Sequence, residues 1–200
     1  MKRYMQLMMT SSCVIAVIVG IIIFHELPFD VLYSSDTDAA VTTLFPPDDQ
    51  PLEHLKPLVQ NESSCIYVAA YRLTDQEIAS ALIEACKRGV SVEIVADASA
   101  LEARYNKVLE MLTYGVDVYV FPPFSSQGAD ESSNHISKSA LMHNKFMVFE
   151  GSQAVWTGSF NFTVAARSSH QENVVIMRDR KQALRYRDHF HVLKRRSTAL

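Results

Sequence analysis

One stretch of the sequence places an imidazole, an ammonium group and two hydrogen-bonding side chains at a regular spacing. His143 and Lys145 are two residues apart, and Ser159 and Asn161 repeat that spacing further along. Residues 150–153 separate two apolar runs and predict a hairpin turn between two strands. Because alternate residues of a strand point to the same face, the paired strands should bring these four side chains to one end of a sheet. Such a cluster suits chemistry on a phosphate oxyanion.

The same positions resemble the HxK…D…GSxxN signature of the phospholipase D superfamily. The resemblance rests on His143, Lys145, Glu150, Gly158, Ser159 and Asn161. It continues through segments 157–163 and 172–175, where the chain is similar to the small single-motif members, the endonuclease-like phosphodiesterases of bacteria and mitochondria. In all, the resemblance covers roughly residues 41 to 193, and the order and spacing together are far more specific than a lone His-x-Lys.

The chain departs from the signature at two points. Glu150 stands where the signature has Asp, which keeps the charge and adds a methylene. In the family this acid is mostly structural, since it turns the chain and bonds the backbone, so the resemblance implies a structural role for Glu150. A single residue separates Ser159 from Asn161, where the broader family has two. The small nuclease-like members share that shorter form.

The resemblance implies hydrolysis of a phosphodiester bond through a covalent phosphohistidine, with no metal or other cofactor. His143 would be the nucleophile or the acid, and Lys145, Ser159 and Asn161 would hold the phosphate oxygens. In the nuclease-like members the Glu of the similar Glu-Asn-Val-Val segment hydrogen-bonds the catalytic imidazole, which assigns that role to Glu172. The alternative for Glu172 is a surface carboxylate at the start of a strand.

A second imidazole is needed for this chemistry, because one group must attack phosphorus while another protonates the leaving alcohol. The chain holds one His-x-Lys motif. The small family members resemble half of the larger two-motif chains and pair across a two-fold axis. We therefore expect a homodimer with one composite site, to which each subunit contributes His143, Lys145, Ser159 and Asn161.

The substrate is left open between two classes. We expect a sequence-nonspecific endonuclease, because the chain has no base-reading motif. It should favour single-stranded nucleic acid, because a narrow two-fold groove admits one strand more readily. A phospholipase acting on phospholipids such as cardiolipin is the alternative, motivated by an apolar amino-terminal segment. A third alternative is an inactive dimer that only binds polyanions, with its site spoiled by Glu150. The net charge is −3, and no His-Glu-x-x-His or Cys/His cluster predicts a metal site.

The fold is predicted from alternating apolar strands and helices between residues 41 and 196. Buried strands separated by helices indicate an α/β domain whose mixed, mostly parallel sheet is covered by helices on both faces. The clearest helices are predicted at 75–88 with Thr74 as the N-cap, at 101–114 and at 179–194. The last helix is basic, and we interpret it as a solvated face. A loop is predicted at 122–139, beside the site.

The amino-terminal segment is predicted to meet a membrane. Lys2 and Arg3 precede an uncharged run that ends at Phe24, which is about the 20 residues that cross a bilayer. We favour a membrane anchor at residues 1–24 with a tether at 25–40, and a cleaved signal peptide is the alternative. The positive flank puts the catalytic domain across the membrane, in the periplasm or outside a bacterium; after cleavage it would be secreted.

Overall fold

Eight strands form a single mixed sheet in the computed structural model, which describes residues 40–122 and 140–200. The predicted anchor, the tether up to residue 39 and residues 123–139 of the predicted loop lie outside the described residues. Within the described segments, no helix is long and apolar enough to cross a membrane. The strands are β1 Ala40–Leu44, β2 Cys65–Ala70, β3 Ser91–Asp97, β4 Asp117–Phe121, β5 Lys145–Phe149, β6 Ala154–Gly158, β7 Val174–Arg178 and β8 Thr198–Ala199.

The strand order is β1-β7-β6-β5-β2-β3-β4-β8. Only β2–β3 and β3–β4 pair in parallel, while all other neighbours are antiparallel. The prediction of a mostly parallel sheet is therefore wrong, although the sheet is mixed. Helical crossovers, which parallel pairing requires, connect β2 to β3 and β3 to β4, whereas a tight turn joins β5 to β6. The parallel and antiparallel parts meet where β2 adjoins β5.

Helices cover both faces of the sheet, as expected. They are α1 Pro51–Asn61, α2 Gln76–Lys87, α3 Ala98–Leu101, α4 Val108–Leu112, α5 Val164–Ser168 and α6 Arg180–Arg195. Alternate side chains of β2 belong to different hydrophobic cores. Ile66 and Val68 join the core under α1 and α2, and Ala69 joins the core under α6. Burial on both faces explains why the central strands are apolar throughout.

Two helix boundaries differ from prediction. Asp75, rather than Thr74, caps α2, because its carboxylate accepts the Glu77 N–H at 2.9 Å. The helix predicted at 101–114 is split into α3 and α4. Between them, the Lys107 N–H donates to Leu73 O at 3.1 Å instead of to a carbonyl of its own helix, so residues 102–107 are not helical. Asn106 then starts the second helix by accepting the Val108 N–H at 2.7 Å.

Candidate active site

The start of β5, the end of β6 and the end of β2 meet at one edge of the sheet. Lys145 pairs with Ala70 of β2, and Phe146 pairs with Thr157 of β6. This register places the His-x-Lys segment beside both Gly158 and the residues that follow β2. The strand ends that carry these residues therefore lie at one edge of the sheet, while the convergence of the four side chains stays a prediction.

Lys145 is a buried cation, with 7% of its surface exposed. Its Nζ donates to the His143 carbonyl oxygen at 2.6 Å and lies 4.8 Å from the centroid of the Tyr71 ring. Burial lowers the pKa of the Lys145 ammonium, and the charge of Glu172 opposes that effect by raising it. In the described part of the chain Lys145 has no carboxylate within ion-pair distance. Its charge is therefore left available for an anion.

His143 is exposed and lies just before β5 rather than within it. Its ring is 4.4 Å from the Tyr71 ring, centroid to centroid. The backbone on either side is fixed by neighbours: Met142 N–H donates to the buried carboxylate of Asp97 at 2.7 Å, and Tyr71 N–H donates to Asn144 O at 3.1 Å. Asp97 and Tyr71 are thus positioning residues that sequence reasoning missed.

A signal for Asp97 was present in the sequence. It directly follows an otherwise apolar run, Val92 to Ala96 apart from Glu93, at the end of a predicted strand. A carboxylate at such a position is only 1% exposed here and is satisfied by Ser99 and Met142. Tyr71 offered no comparable signal, because its role depends on the pairing of β2 with β5, which the sequence does not specify.

Gly158 allows β6 and β7 to approach closely at the site. Its φ is +154°, and a Cβ there would overlap the Asn173 carbonyl oxygen. Just beyond it, the Ser159 N–H donates to Asn173 O at 3.1 Å, and the Ser159 hydroxyl donates to Glu172. Ser159 therefore joins the ends of the two strands, with its hydroxyl already engaged.

Asn161 is held through its neighbour Phe162. The Phe162 N–H donates to Arg72 O at 3.0 Å, and Phe162 O accepts the Thr74 N–H at 2.9 Å. Asn161 Oδ1 is buried and has no hydrogen-bond partner among the described residues. Unpaired buried polar atoms are uncommon, and this oxygen can only accept a hydrogen bond, so a donor group of a ligand would satisfy it, whereas a phosphate oxygen would not.

Glu172 is only 11% exposed on its side chain, so it is not a solvated surface carboxylate. It accepts from the Ser159 hydroxyl, and its Oε1 lies 3.9 Å from His170 Nδ1. Within residues 40–122 and 140–200, no hydrogen bond joins Glu172 to the His143 ring. The expected Glu172–His143 pair stays a prediction, and Glu172 acts on Lys145 through its charge.

Glu150 lies at the opposite end of β5, about 16 Å from Lys145 at roughly 3.3 Å per strand residue. Its carboxylate pairs with Arg187 of α6 at 3.0 Å. The backbone of the turn is held instead by Glu62, which is 3% exposed and accepts the N–H groups of Gly151 and Ser152. Glu62 thus makes the backbone bonds that were expected of Glu150.

Two basic side chains of α6 form ion pairs within the chain. Arg187 pairs with Glu150, and Lys194 pairs with Glu93 at 2.6 Å. The helix itself packs on the sheet through Ala183, Phe190 and Leu193. In the segments that the structure describes, no group of three His, Cys, Asp or Glu could hold a metal ion. Metal independence stays a prediction.

A mixed sheet that carries His-x-Lys and Gly-Ser-x-Asn at one edge has the architecture of a phosphodiesterase. Residues 55–194 match the protein family described as cardiolipin synthase, PLD-like domain. The chain therefore belongs to the phospholipase D superfamily. The superfamily and the hydrolase class predicted from the motif are confirmed.

Relatives agree with this placement. The phospholipase D of Rickettsia prowazekii is 32% identical over 160 residues, which are 80% of this chain and 70% of that protein. This chain spans between 64% and 70% of the length of three rickettsial relatives of that name. Nuc, a phospholipase D family member from Salmonella typhimurium, is 23% identical with a TM-score of 0.67, over 82% of this chain and 99% of Nuc. NucT from Helicobacter pylori is 17% identical with a TM-score of 0.70, over 82% of this chain and 100% of NucT. The last two likenesses show the fold.

Proposed function

We propose that the chain is a metal-independent phosphodiesterase that cleaves nucleic acid strands without sequence specificity, as a homodimer with one composite site. The observation that carries the proposal is Lys145, a buried ammonium group next to His143 with no ion-pair partner in the described part of the chain. A buried charge is costly unless it is compensated, so an anionic ligand would complete the site. Asn161 would bind the same ligand through Nδ2, the donor atom of its amide.

The proposed reaction has two steps. His143 of one subunit attacks phosphorus, so that a P–N bond forms while the P–O bond to the leaving group breaks. The other subunit's His143 gives its proton to the leaving oxygen. That imidazole then takes a proton from water, the resulting hydroxide attacks phosphorus and the P–N bond breaks, which restores both imidazoles. Lys145 and Asn161 of each subunit bind the non-bridging oxygens throughout.

The homodimer proposal has a specific competitor within the subunit. His170 lies 3.9 Å from Glu172, and its side chain is 60% exposed. In a monomer, His170 would be the candidate for the second acid. Mixed dimers of wild-type and His143→Ala chains, isolated through two different tags, distinguish the two cases. A composite site predicts that mixed dimers lose nearly all multiple-turnover activity. Half of the wild-type activity in mixed dimers, together with inactivity of His170→Ala, would contradict it.

The substrate class is tested directly. The full chain, purified in mild detergent with excess chelator, is incubated with labelled single-stranded DNA and, separately, with cardiolipin vesicles. We expect cleavage of DNA that His143→Ala abolishes. The lipid alternative is favoured by the name phospholipase D of the rickettsial relatives and by the family description. Turnover of lipid alone would establish that alternative, and dependence on an added metal would contradict the proposed mechanism.

The inactive-dimer alternative depended on Glu150, and the fold argues against it. Glu150 is at the far end of β5 and pairs with Arg187. We therefore propose that Glu in place of Asp leaves the chemistry intact. Glu150→Asp should have the wild-type kcat, and a rise of tenfold or more would show that Glu150 impairs the site.

Membrane attachment is a separate proposal. The uncharged run that ends at Phe24 supports an anchor at residues 1–24, with the catalytic domain across the membrane. Sequencing the amino terminus of the protein isolated from native membranes tests it. A chain that begins after Phe24 would establish the cleaved signal peptide instead.

A further inference from the structure

A depression of about 400 Å³ opens directly beside the candidate active site. This volume falls within the range of small-ligand sites. Asn161 of the signature is one of the residues that line it. Two tyrosines, two arginines and a histidine form most of the remaining wall; these are Tyr71, Tyr105, Arg72, Arg104 and His170.

The two arginines have charge to offer a ligand. Arg72 Cζ lies 5.2 Å from the centroid of the Tyr71 ring, and Arg104 Cζ lies 5.3 Å from that of Tyr105. Neither guanidinium forms an ion pair with a carboxylate in the described segments. Arginines that rest on aromatic rings without an acidic partner are suited to binding phosphate groups.

Tyr105 is the exposed aromatic surface of this wall, with 64% of its surface accessible. It lies in the connection between α3 and α4, which is not a free loop. Asn106 N–H donates to Ala103 O at 3.0 Å, and Lys107 N–H donates to Leu73 O at 3.1 Å. The ring is thus held outward on fixed backbone, as a platform on which a flat group can stack.

We infer that this depression is a subsite for the nucleotide next to the scissile phosphate, with its unpaired base stacked on Tyr105 and its phosphate bound by Arg72 and Arg104. The inference rests on the proposed function, because it names the part of the substrate that reaches beyond the reacting group. It also gives a reason for single-strand preference, since a base paired in a duplex cannot stack on a protein ring. A lipid headgroup phosphate could also bind the two guanidinium groups, but it has no flat base to stack on Tyr105.

The test measures binding by the full chain in a His143→Ala background, so that no cleavage occurs. The probe is a fluorescein-labelled single-stranded dodecamer of deoxythymidine, followed by fluorescence anisotropy. Tyr105→Ala should weaken binding about tenfold, as expected for loss of one stacked base, and Tyr105→Trp should restore it. Tyr114→Ala is the matched control: Tyr114 is also exposed, at 48%, with Lys87 Nζ 5.2 Å from its ring centroid, but it does not line the depression. It should bind as tightly as the parent.

A second probe distinguishes the contribution of base stacking to affinity from that of phosphate binding. With an abasic oligonucleotide of the same length, Tyr105→Ala should no longer matter, whereas Arg104→Ala should reduce the slope of log affinity against log salt by about one. Undiminished binding of the thymidine probe by Tyr105→Ala would overturn the inference. An equal loss of affinity by Tyr105→Ala for the abasic probe would also overturn it. So would a Tyr105→Ala chain with His143 intact that loses cardiolipin turnover but not DNA cleavage.

A small substrate keeps failure of this inference separate from failure of the proposed function. Methyl 4-nitrophenyl phosphate contains a phosphodiester but no nucleoside. The chain with His143 intact should hydrolyse it at the same rate with or without Tyr105→Ala. If the wild-type chain hydrolyses no phosphodiester, the proposed function fails, while the binding measurements still decide the subsite. If Tyr105→Ala slows the small ester as much as DNA, Tyr105 supports the whole site and the subsite is overturned.

Discussion

The ring of Tyr71 lies 4.4 Å from the imidazole of His143, centroid to centroid. The same ring is 4.8 Å from Lys145 Nζ, so one aromatic side chain contacts both functional groups of the His-x-Lys pair. Its backbone N–H also bonds Asn144, the residue between them. Tyr71 therefore restricts the exposed imidazole of His143.

Two replacements of Tyr71 should distinguish the contribution of its ring from that of its hydroxyl group. We expect Tyr71→Ala to lower kcat about tenfold, because the imidazole loses its orienting surface and Lys145 loses its cation–π contact. Tyr71→Phe should keep most of the activity, since the ring makes both contacts. Steady-state kinetics on a small phosphodiester measures the effect. Equal losses in the two variants would assign the role to the hydroxyl instead.

Two buried carboxylates, Asp97 and Glu62, hold opposite ends of β5. Asp97 bonds the Met142 N–H ahead of His143, and Glu62 bonds the turn at Gly151 and Ser152. Asp97→Asn and Glu62→Gln should each destabilise the fold by about 1–3 kcal/mol, because a buried donor loses its acceptor. Only Asp97→Asn should also lower kcat, about tenfold, with little change in KM.

Urea unfolding and kinetics on the same preparations check this pair. Glu62→Gln serves as the control for general loss of stability. If both variants lower kcat in proportion to their loss of stability, Asp97 has no positioning role.

The alkaline limb of the pH profile should report Lys145. The ammonium must be protonated to bind phosphate oxygens, and burial lowers its pKa, so kcat/KM should fall at a lower pH than an ordinary lysine would give. The Glu172 carboxylate raises that pKa. Glu172→Gln removes this support for the charged form, so the limb should move to still lower pH.

Glu150→Gln is the control for that experiment, because Glu150 pairs with Arg187 at the far end of β5. Its alkaline limb should coincide with that of the wild type. A limb that stays in place in Glu172→Gln, or that moves to higher pH, would contradict the assignment to Lys145. A loss of rate in Glu172→Gln at every pH would favour the predicted bond to His143.

Gly158 should tolerate no side chain. A Cβ there would overlap the Asn173 carbonyl oxygen, and φ is +154°. Gly158→Ala should therefore cost about 3 kcal/mol in the free energy of unfolding, from overlap and backbone strain together. Gly89→Ala isolates the strain, because Gly89 has φ +91° but open space around its Cβ position. It should cost only about 1 kcal/mol. Similar midpoints in urea would show that strands β6 and β7 can separate without penalty.

The sequence predicted what depends on local pattern. The turn at residues 150–153 predicts that the strands on either side of it pair, and β5 and β6 do pair in antiparallel register. The apolar strands and the helix before β3 were also predictable, the strands from their continuous apolar runs and the helix from its periodicity.

What the sequence could not predict depends on contacts between distant segments. The antiparallel pairing of β2 with β5, which brings Tyr71 to the candidate site, has no local signal. The same holds for the bond from Lys107 to Leu73 that divides the predicted helix, and for Glu62, which reaches across 89 residues to Gly151. Burial of Glu172 against Ser159 belongs to this group too.

The junction of β2 with β5 has a consequence for how such an enzyme diversifies. The signature residues lie on or next to the antiparallel strands β5 and β6, while Tyr71 and Asp97 come from the ends of the parallel strands β2 and β3. We therefore expect mutations in the parallel part to change the orientation of His143 without altering the signature. Family members with identical signatures can then differ widely in rate, and a search by motif alone would not separate fast catalysts from slow ones.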